Sequence, residues 1–322
     1  MIYTVTLNPA IDRELVVSNI KCDTVLRATE WRVDFGGKGF NVARMLNVLG
    51  TPSVALGFAG GGNGKMLHDG LRAIGIETDF NWVEEETRTN VSIVASDFSQ
   101  YVKVNEPGPT ISKVHLSALE QKIRGLAQAD DWWVLAGSLP PGVLPSIYAD
   151  LISIIQTAGG HVILDTSGEA LYHGCKAKPF LVKPNTAEAR KLTDLDLDNP
   201  SQLANAAEAI RAMGPAHVII SMGKMGAIMA NGKKIWTAQS PEIIELNPIG
   251  AGDAMVGGLV CGLSRGQRLR EAFALAIACG AATAAQRGTS VGTTGKINDL
   301  LARIDLREIG NSDNTSSRQA GS

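Results

Sequence analysis

Short apolar runs of strand length alternate along this chain with longer stretches of helical period, and that rhythm limits the folds open to it. The runs fall at 2–7, 53–57, 132–136, 161–165, 180–182 and 217–221, and the helical patterns at 40–49, 65–74, 114–127, 147–158 and 202–213. The alternation predicts an α/β fold with a mainly parallel sheet, covered on both faces by its crossover helices. Ligands of such sheets sit beyond the carboxyl ends of the strands, where the motifs should therefore lie. Two stretches, about 12–35 and 82–106, interrupt the rhythm with alternating and β-branched residues and predict a small β-sheet lid. From 310 to 322 the composition turns to Asn, Ser, Asp, Gln and Gly, the signature of a disordered tail, which leaves 1–309 as the folded domain.

Composition removes several classes of function. The chain has 322 residues, 30 Lys plus Arg against 32 Asp plus Glu, and a net charge of -2, so no broad cationic field exists to hold nucleic acid. Cys22, Cys175, Cys261 and Cys279 are scattered without metal-ligand spacing and read as reduced thiols. The least polar long stretch, 273–285, is too short to span a bilayer. The amino terminus has no basic region followed by an apolar core, as a signal peptide would. The expectation is a cytoplasmic protein without nucleic-acid or membrane partners. Five histidines, His68, His115, His161, His173 and His217, share no motif and read as structural.

The densest chemical signal is Asn247-Pro248-Ile249-Gly250-Ala251-Gly252-Asp253, running into an apolar helix pattern. Glycines at a helix start let backbone N–H groups approach an anion, and the helix dipole favours negative charge there. Asp253 beside such a pocket can take the proton from an attacking hydroxyl, or it can serve merely as an N-cap. A second cluster, Gly36-Gly37-Lys38-Gly39-Phe40-Asn41, again leads into a helix. Lys38 and Asn41 there suit a polyhydroxylated or phosphorylated ligand, or else the loop is a flexible connection with Lys38 in solvent.

Residues 60–66 come near a phosphate loop but fail it, since Ala59 replaces the first glycine and Met66 the hydroxyl residue. Lys183-Pro184-Asn185-Thr186-Ala187-Glu188 reads either as a capping box or as a site where the Glu188 carboxylate meets Mg2+ through water. Ser221-Met222-Gly223-Lys224-Met225-Gly226 ends a strand, either at a nucleotide or as a plain turn. Asp12, Arg88 and Ser138, with Arg27, Lys38 and Lys103, offer one carboxylate for sugar hydroxyls and several cations for a phosphate.

GGKGFNVA and NPIGAGDAMVGG, in that order and far apart, resemble the two signatures of the ribokinase-like (PfkB) carbohydrate kinases, and ETRTN with GSLPPG resembles their hexose-phosphate branch. The resemblance covers nearly the whole chain and implies a three-layer α/β/α domain with a β lid that often mediates dimerisation. It implies Asp253 as catalytic base with Gly250, Ala251 and Gly252 as its anion hole. Asp12, Gly37, Lys38, Asn41, Arg88 and Ser138 match the substrate contacts, with Arg27 and Lys103 carried over on weaker grounds. Lys183, Asn185, Glu188, Ser221, Gly223, Gly226 and Gly252 match the ATP side, with Glu188 toward Mg2+. A monovalent cation occurs in some relatives, but 285–291 is too irregular to assign one. The implied reaction is MgATP-dependent phosphorylation of a ketohexose monophosphate, fructose 1-phosphate to fructose 1,6-bisphosphate foremost. Tagatose 6-phosphate and fructose 6-phosphate are the alternative acceptors, and a non-catalytic sugar or nucleotide sensor is the alternative of another class.

Overall fold

The computed structural model describes residues 1–97, 100–199, 202–286 and 290–309; the expected tail at 310–322 lies outside them. The amino-terminal part runs β1 (Ile2–Thr6), β2 (Ala10–Val17), β3 (Ala28–Gly36), α1 (Lys38–Val48), β4 (Val54–Gly60), α2 (Gly61–Ala73), β5 (Glu77–Val83), β6 (Arg88–Ala95) and β7 (Tyr101–Asn105). The middle runs α3 (Lys113–Leu126), β8 (Trp132–Ala136), α4 (Ile147–Thr157), β9 (His161–Asp165), α5 (Gly168–Lys176), β10 (Leu181–Val182), α6 (Thr186–Thr193) and α7 (Gln202–Ala212). The last part runs β11 (His217–Ser221), β12 (Ala227–Ala230), β13 (Ile235–Ala238), α8 (Ala251–Ser264), α9 (Leu269–Ala284), α10 (Thr294–Leu301) and β14 (Leu306–Ile309).

The main sheet has the order β14-β13-β12-β11-β10-β9-β8-β1-β4-β5 and is parallel from β11 to β5. Successive residues of its central strands enter opposite cores. Trp133, Leu135, Val162, Leu164, Val218 and Ile220 pack with α3, α4, α5 and α7, while Val134, Ile163 and Ile219 pack with α1, α8, α9 and α10. Both faces are therefore apolar, which is why these strands read as unbroken apolar runs. Tyr3 and Trp133 stack at 4.2 Å on the first face. A row of Trp132, His161, Phe180 and His217 closes the amino ends of the strands, away from the ligand end.

Three regions depart from the sequence reading. Residues 77–83 form β5 at an edge of the main sheet, so Trp82 and Val83 belong there and the second lid segment begins at Arg88. The other edge carries β12, β13 and β14 in antiparallel pairing; the Asn231-Gly232 turn was its signal. The third is α2, which starts at Gly61 rather than Lys65 because Glu86, from outside the helix, accepts the N–H groups of Gly62 and Asn63 at 2.9 Å. The near-phosphate loop is thus the first turn of a helix already filled by a carboxylate.

The lid sheet has the order β3-β2-β6-β7. Because side chains alternate across a strand, its two faces differ. Asp12, Asn90 and Lys103 share the face that carries the charges, whereas Trp31, Leu15, Ile93 and Val102 form one row on the other. Gly36 lets the Asp12 carboxylate lie against the hinge, since a Cβ there would stand 2.2 Å from its Oδ2 and push it aside.

After β11 the chain makes a tight turn over Gly223–Met225 and enters β12 through Gly226, whose φ of 94° lies in the left-handed region. A Cβ at Gly226 would stand 1.9 Å from the Ala238 carbonyl of β13. Gly226→Ala is expected to cost about 3 kcal/mol from strained backbone and overpacking together. Urea unfolding measures this, and an unmoved midpoint would mean that the two backbones separate freely.

Candidate functional site

The carboxyl ends of the parallel strands open into a cleft of about 810 Å³, and residues predicted from widely separated motifs meet in it. Lys38 from α1, Lys183, Asn185 and Glu188 around the start of α6, and Gly252 with Asp253 from α8 line its polar side. Ser221, Gly223 and Gly226 line it beyond β11. An apolar wall of Ile243, Met255, Ile277, Ala281 and Ala284 completes it, and sequence reading had not marked these five residues. Such a wall suits a flat aromatic ring next to a polar, phosphate-sized region.

Asp253 is the third residue of α8 and 7% exposed. It is not the N-cap, which is Gly250, and no side chain caps that first turn. Its Oδ2 accepts instead from Asn41 Nδ2 at 2.8 Å. Burial, and next the negative charge of Asp165, push its carboxyl up to about 6, against the pull of Lys38, Asn41 and Lys183. The Ala251 N–H donates to the Pro248 carbonyl at 3.2 Å, whereas the amides of Gly250, Gly252 and Asp253 belong to the N-cap and first turn, where a helix offers N–H groups to an anion.

Asp165, which no motif marked, is 1% exposed at the end of β9. Lys38 Nζ donates to its Oδ1 at 2.9 Å, and Lys183 Nζ lies 3.2 Å from its Oδ2. Lys38 is therefore anchored and not left in solvent. Burial works against the charge of Lys38, but Asp165, Asp253 and Glu188 outweigh it and hold the ammonium above its usual value. Burial likewise works against the charge of Asp165, yet Lys183 and Lys38 hold its carboxyl below the ordinary one.

Asn185 and Glu188 form a complete capping box. The Asn185 side chain accepts from the Glu188 N–H at 2.9 Å and Glu188 Oε2 accepts from the Asn185 N–H at 2.9 Å. The cap and the cleft position are compatible, because Glu188 Oε1 is not part of the box. No cluster of three or more acidic, Cys or His ligands exists among the described residues. One carboxylate fits a Mg2+ that keeps most of its water and is held chiefly by phosphates, as opposed to a caged ion.

On the lid side, Asp12 Oδ1 accepts from Asn90 Nδ2 at 2.7 Å. Burial raises its pKa, while the Asn90 bond and the charges of Lys103 and Arg88 oppose the rise. Asn90 closes the ETRTN motif, of which only Arg88 had been marked as a contact. Arg88 is near Asp12, but its guanidinium donates to three backbone carbonyls, Asn8 and Glu106 at 3.0 Å and Pro9 at 3.3 Å. It therefore clasps the lid hinge. Asn8 extends that clasp by donating to Pro107 at 3.0 Å and to Leu139 at 3.3 Å. Gly37 caps α1 beside Lys38, and Ser138 is exposed just beyond β8. Arg27 is exposed between β2 and β3, where no hydrogen bond or ion pair joins it to the cleft among the described residues. The segment 285–291 includes three residues outside those described.

A parallel sheet, a β lid and one acid at an open helix start define a phosphotransferase that acts on an alcohol group. Residues 4–294 match the model of the pfkB family carbohydrate kinases. The chain belongs to that family. It is 34% identical to the 1-phosphofructokinase of Bacillus subtilis, over 96% of this chain and 100% of that protein. It is 30% identical to the tagatose-6-phosphate kinase of Staphylococcus epidermidis, over 96% and 100%. The phosphofructokinase-2 of Escherichia coli, solved in complex with potassium, superposes with a TM-score of 0.89 at 29% identity, over 94% of this chain and 98% of that one.

Arg88→Ala is expected to lower stability by about 1.5–3 kcal/mol, since three carbonyls lose a charged donor. Chemical denaturation reads the change, and a wild-type midpoint would argue that water replaces the clasp at no cost.

Proposed function

We propose that this carbohydrate kinase transfers the γ-phosphoryl group of ATP to a ketohexose monophosphate, with fructose 1-phosphate the first choice of acceptor and fructose 1,6-bisphosphate the product. The observation that carries the reading is the position of Asp253, a buried acid with a raised pKa at an uncapped helix start, inside a cleft that has both a polar and an apolar half. Ordered on this reading, the acceptor hydroxyl gives its proton to Asp253 as its oxygen attacks phosphorus. Asn41 holds the carboxylate in line, and the Gly252 and Asp253 amides meet the charge that develops on the transferring group. Lys183, Asn185, Ser221, Gly223 and Gly226 border the ATP, and the apolar wall receives its base.

Asp12, Gly37, Lys38 and Ser138 receive the sugar, while Lys103, Arg27 and the remaining donors of Arg88 face its phosphate. Glu188 would hold Mg2+ through water; when bound, the ion neutralises phosphate charge in flight. Relatives with both names occur at similar identity, so tagatose 6-phosphate stays as the second acceptor.

The apolar row of the lid supports a homodimer formed through it, since Trp31 is 74% and Val102 46% exposed. Escherichia coli phosphofructokinase-2 has itself been solved in a tetrameric inhibited form. The four free cysteines support a cytoplasmic setting, and no described helix is long and apolar enough to cross a membrane.

Two measurements decide the reading. Coupled ADP release should be greatest with fructose 1-phosphate among the three sugar phosphates, and Asp253→Asn should lower kcat by ~10²- to 10⁴-fold with ATP affinity retained. Turnover by a folded Asp253→Asn at the wild-type rate removes the base from its role. Because the base acts only when ionised, kcat/KM should fall as pH drops through about 6, one proton per enzyme. An acid limb at the ordinary Asp value of 3.8 would contradict the assignment.

A further inference from the structure

Asp165 ends β9 almost without exposure and touches both sides of the cleft at once. Lys38 reaches it from the first turn of α1, beside Asn41 and the lid hinge. Lys183 reaches it from just past β10, and its Nζ stands 3.2 Å from where a Cβ of Gly252 would be. A lysine side chain has many rotamers, and charge stabilises a transition state best when it is fixed before the reaction begins. Neither lysine has another carboxylate within ion-pair distance among the described residues. One buried acid thus sets where two cations stand, one on the sugar side and one on the nucleotide side.

We propose that Asp165 is a positioning residue, which holds Lys38 and Lys183 at a fixed separation so that their ammonium groups flank the phosphoryl group during its transfer. The inference deepens the sugar-phosphate kinase reading and rests on it. Asp165 touches neither substrate; it acts through the two lysines and through its field on the base. The charged and polar groups that act on Asp253 are Asp165 at the end of β9, Lys38 and Asn41 on α1, and Lys183 beyond β10, with Glu188 on α6 acting on Lys38. A neutral side chain at 165 removes the repulsion on Asp253 and leaves Lys38, no longer fixed, with Asp253 and Glu188 as the acids that still attract it, so the carboxyl of Asp253 ionises at lower pH.

The test is Asp165→Asn, alone and combined with Lys38→Met, in the full chain with fructose 1-phosphate and MgATP. A folded Asp165→Asn is expected to lose ~10²-fold in kcat and to move the acid limb of kcat/KM to lower pH. The double variant is expected to lose clearly less than the product of the two single losses, because both substitutions disable the same lysine. A general structural role, with Asp165 acting on the base by its charge alone, would let the losses multiply. Near-wild-type kcat, an unmoved limb or multiplicative losses each overturn the proposal. Should Asp165→Asn fail to fold by circular dichroism, Asp165→Glu keeps the charge, displaces it by one methylene and is read in the same cycle. A wild-type protein inactive on all three sugar phosphates overturns the functional reading and this one with it. An active wild type beside an unaffected Asp165→Asn overturns this one alone.

Discussion

Where β9 and β10 end and α1 and α8 begin, two buried carboxylates, Asp165 and Asp253, meet two ammonium groups, Lys38 and Lys183. The four formal charges cancel, and each group is tolerated in a water-poor place only because the others are there. Asp165 has both lysines within ion-pair reach and keeps its charge. Among the described residues Asp253 has only an amide donor in contact, and its charge is correspondingly harder to keep. Two acids so close together are thereby driven apart in basicity, the separation that general-base chemistry needs.

The scaffold brings these groups together by a simple route. Parallel strands all deliver their carboxyl ends to one edge of the sheet, and the crossover helices begin there with N–H groups that need partners from outside the helix, supplied at α2 by Glu86 and at α6 by Asn185. α8 is buried on nearly every side against α1 and α9, so the position of Asp253 is set by packing from its own helix and that of Asn41 from the neighbouring one. The lid uses the alternation of a β-strand for two tasks. Its charged face presents Asp12, Asn90 and Lys103, while the opposite row of Trp31, Leu15, Ile93 and Val102 remains available for contact.

Several side chains carry two explanations at once. Asn185 and Glu188 complete a capping box and also line the cleft, so a local motif and a site motif coincide in the same atoms. Arg88 shows the reverse: read as a phosphate cation, it is first of all a clasp on Asn8, Pro9 and Glu106, and most of its geometry is fixed by the hinge. Glu86 fills the helix start at Gly62 and Asn63 with a carboxylate of the chain itself, which closes that anion site to a ligand.

Alternating apolar runs were enough to place six central strands and, apart from the start of the second at Trp82 and Val83, the two lid segments, because period and β-branching are local properties. The two glycine signatures were likewise legible, since a glycine before a helix start is a backbone requirement visible in one dimension. β5 and the β12–β14 edge were not: β12, β13 and β14 have four residues each, too few to show a period although β12 is wholly buried, and the end of β5 runs into the alternating stretch read as lid. Asp165 escaped for a related reason: a single acid after three apolar residues means nothing until β9 is set beside β10 and α1. The order of the motifs thus followed from the chain alone, but charge partners, burial and the basicity of Asp253 arose only when distant segments shared one water-poor space, for electrostatic energy depends on distance and solvent and not on sequence separation.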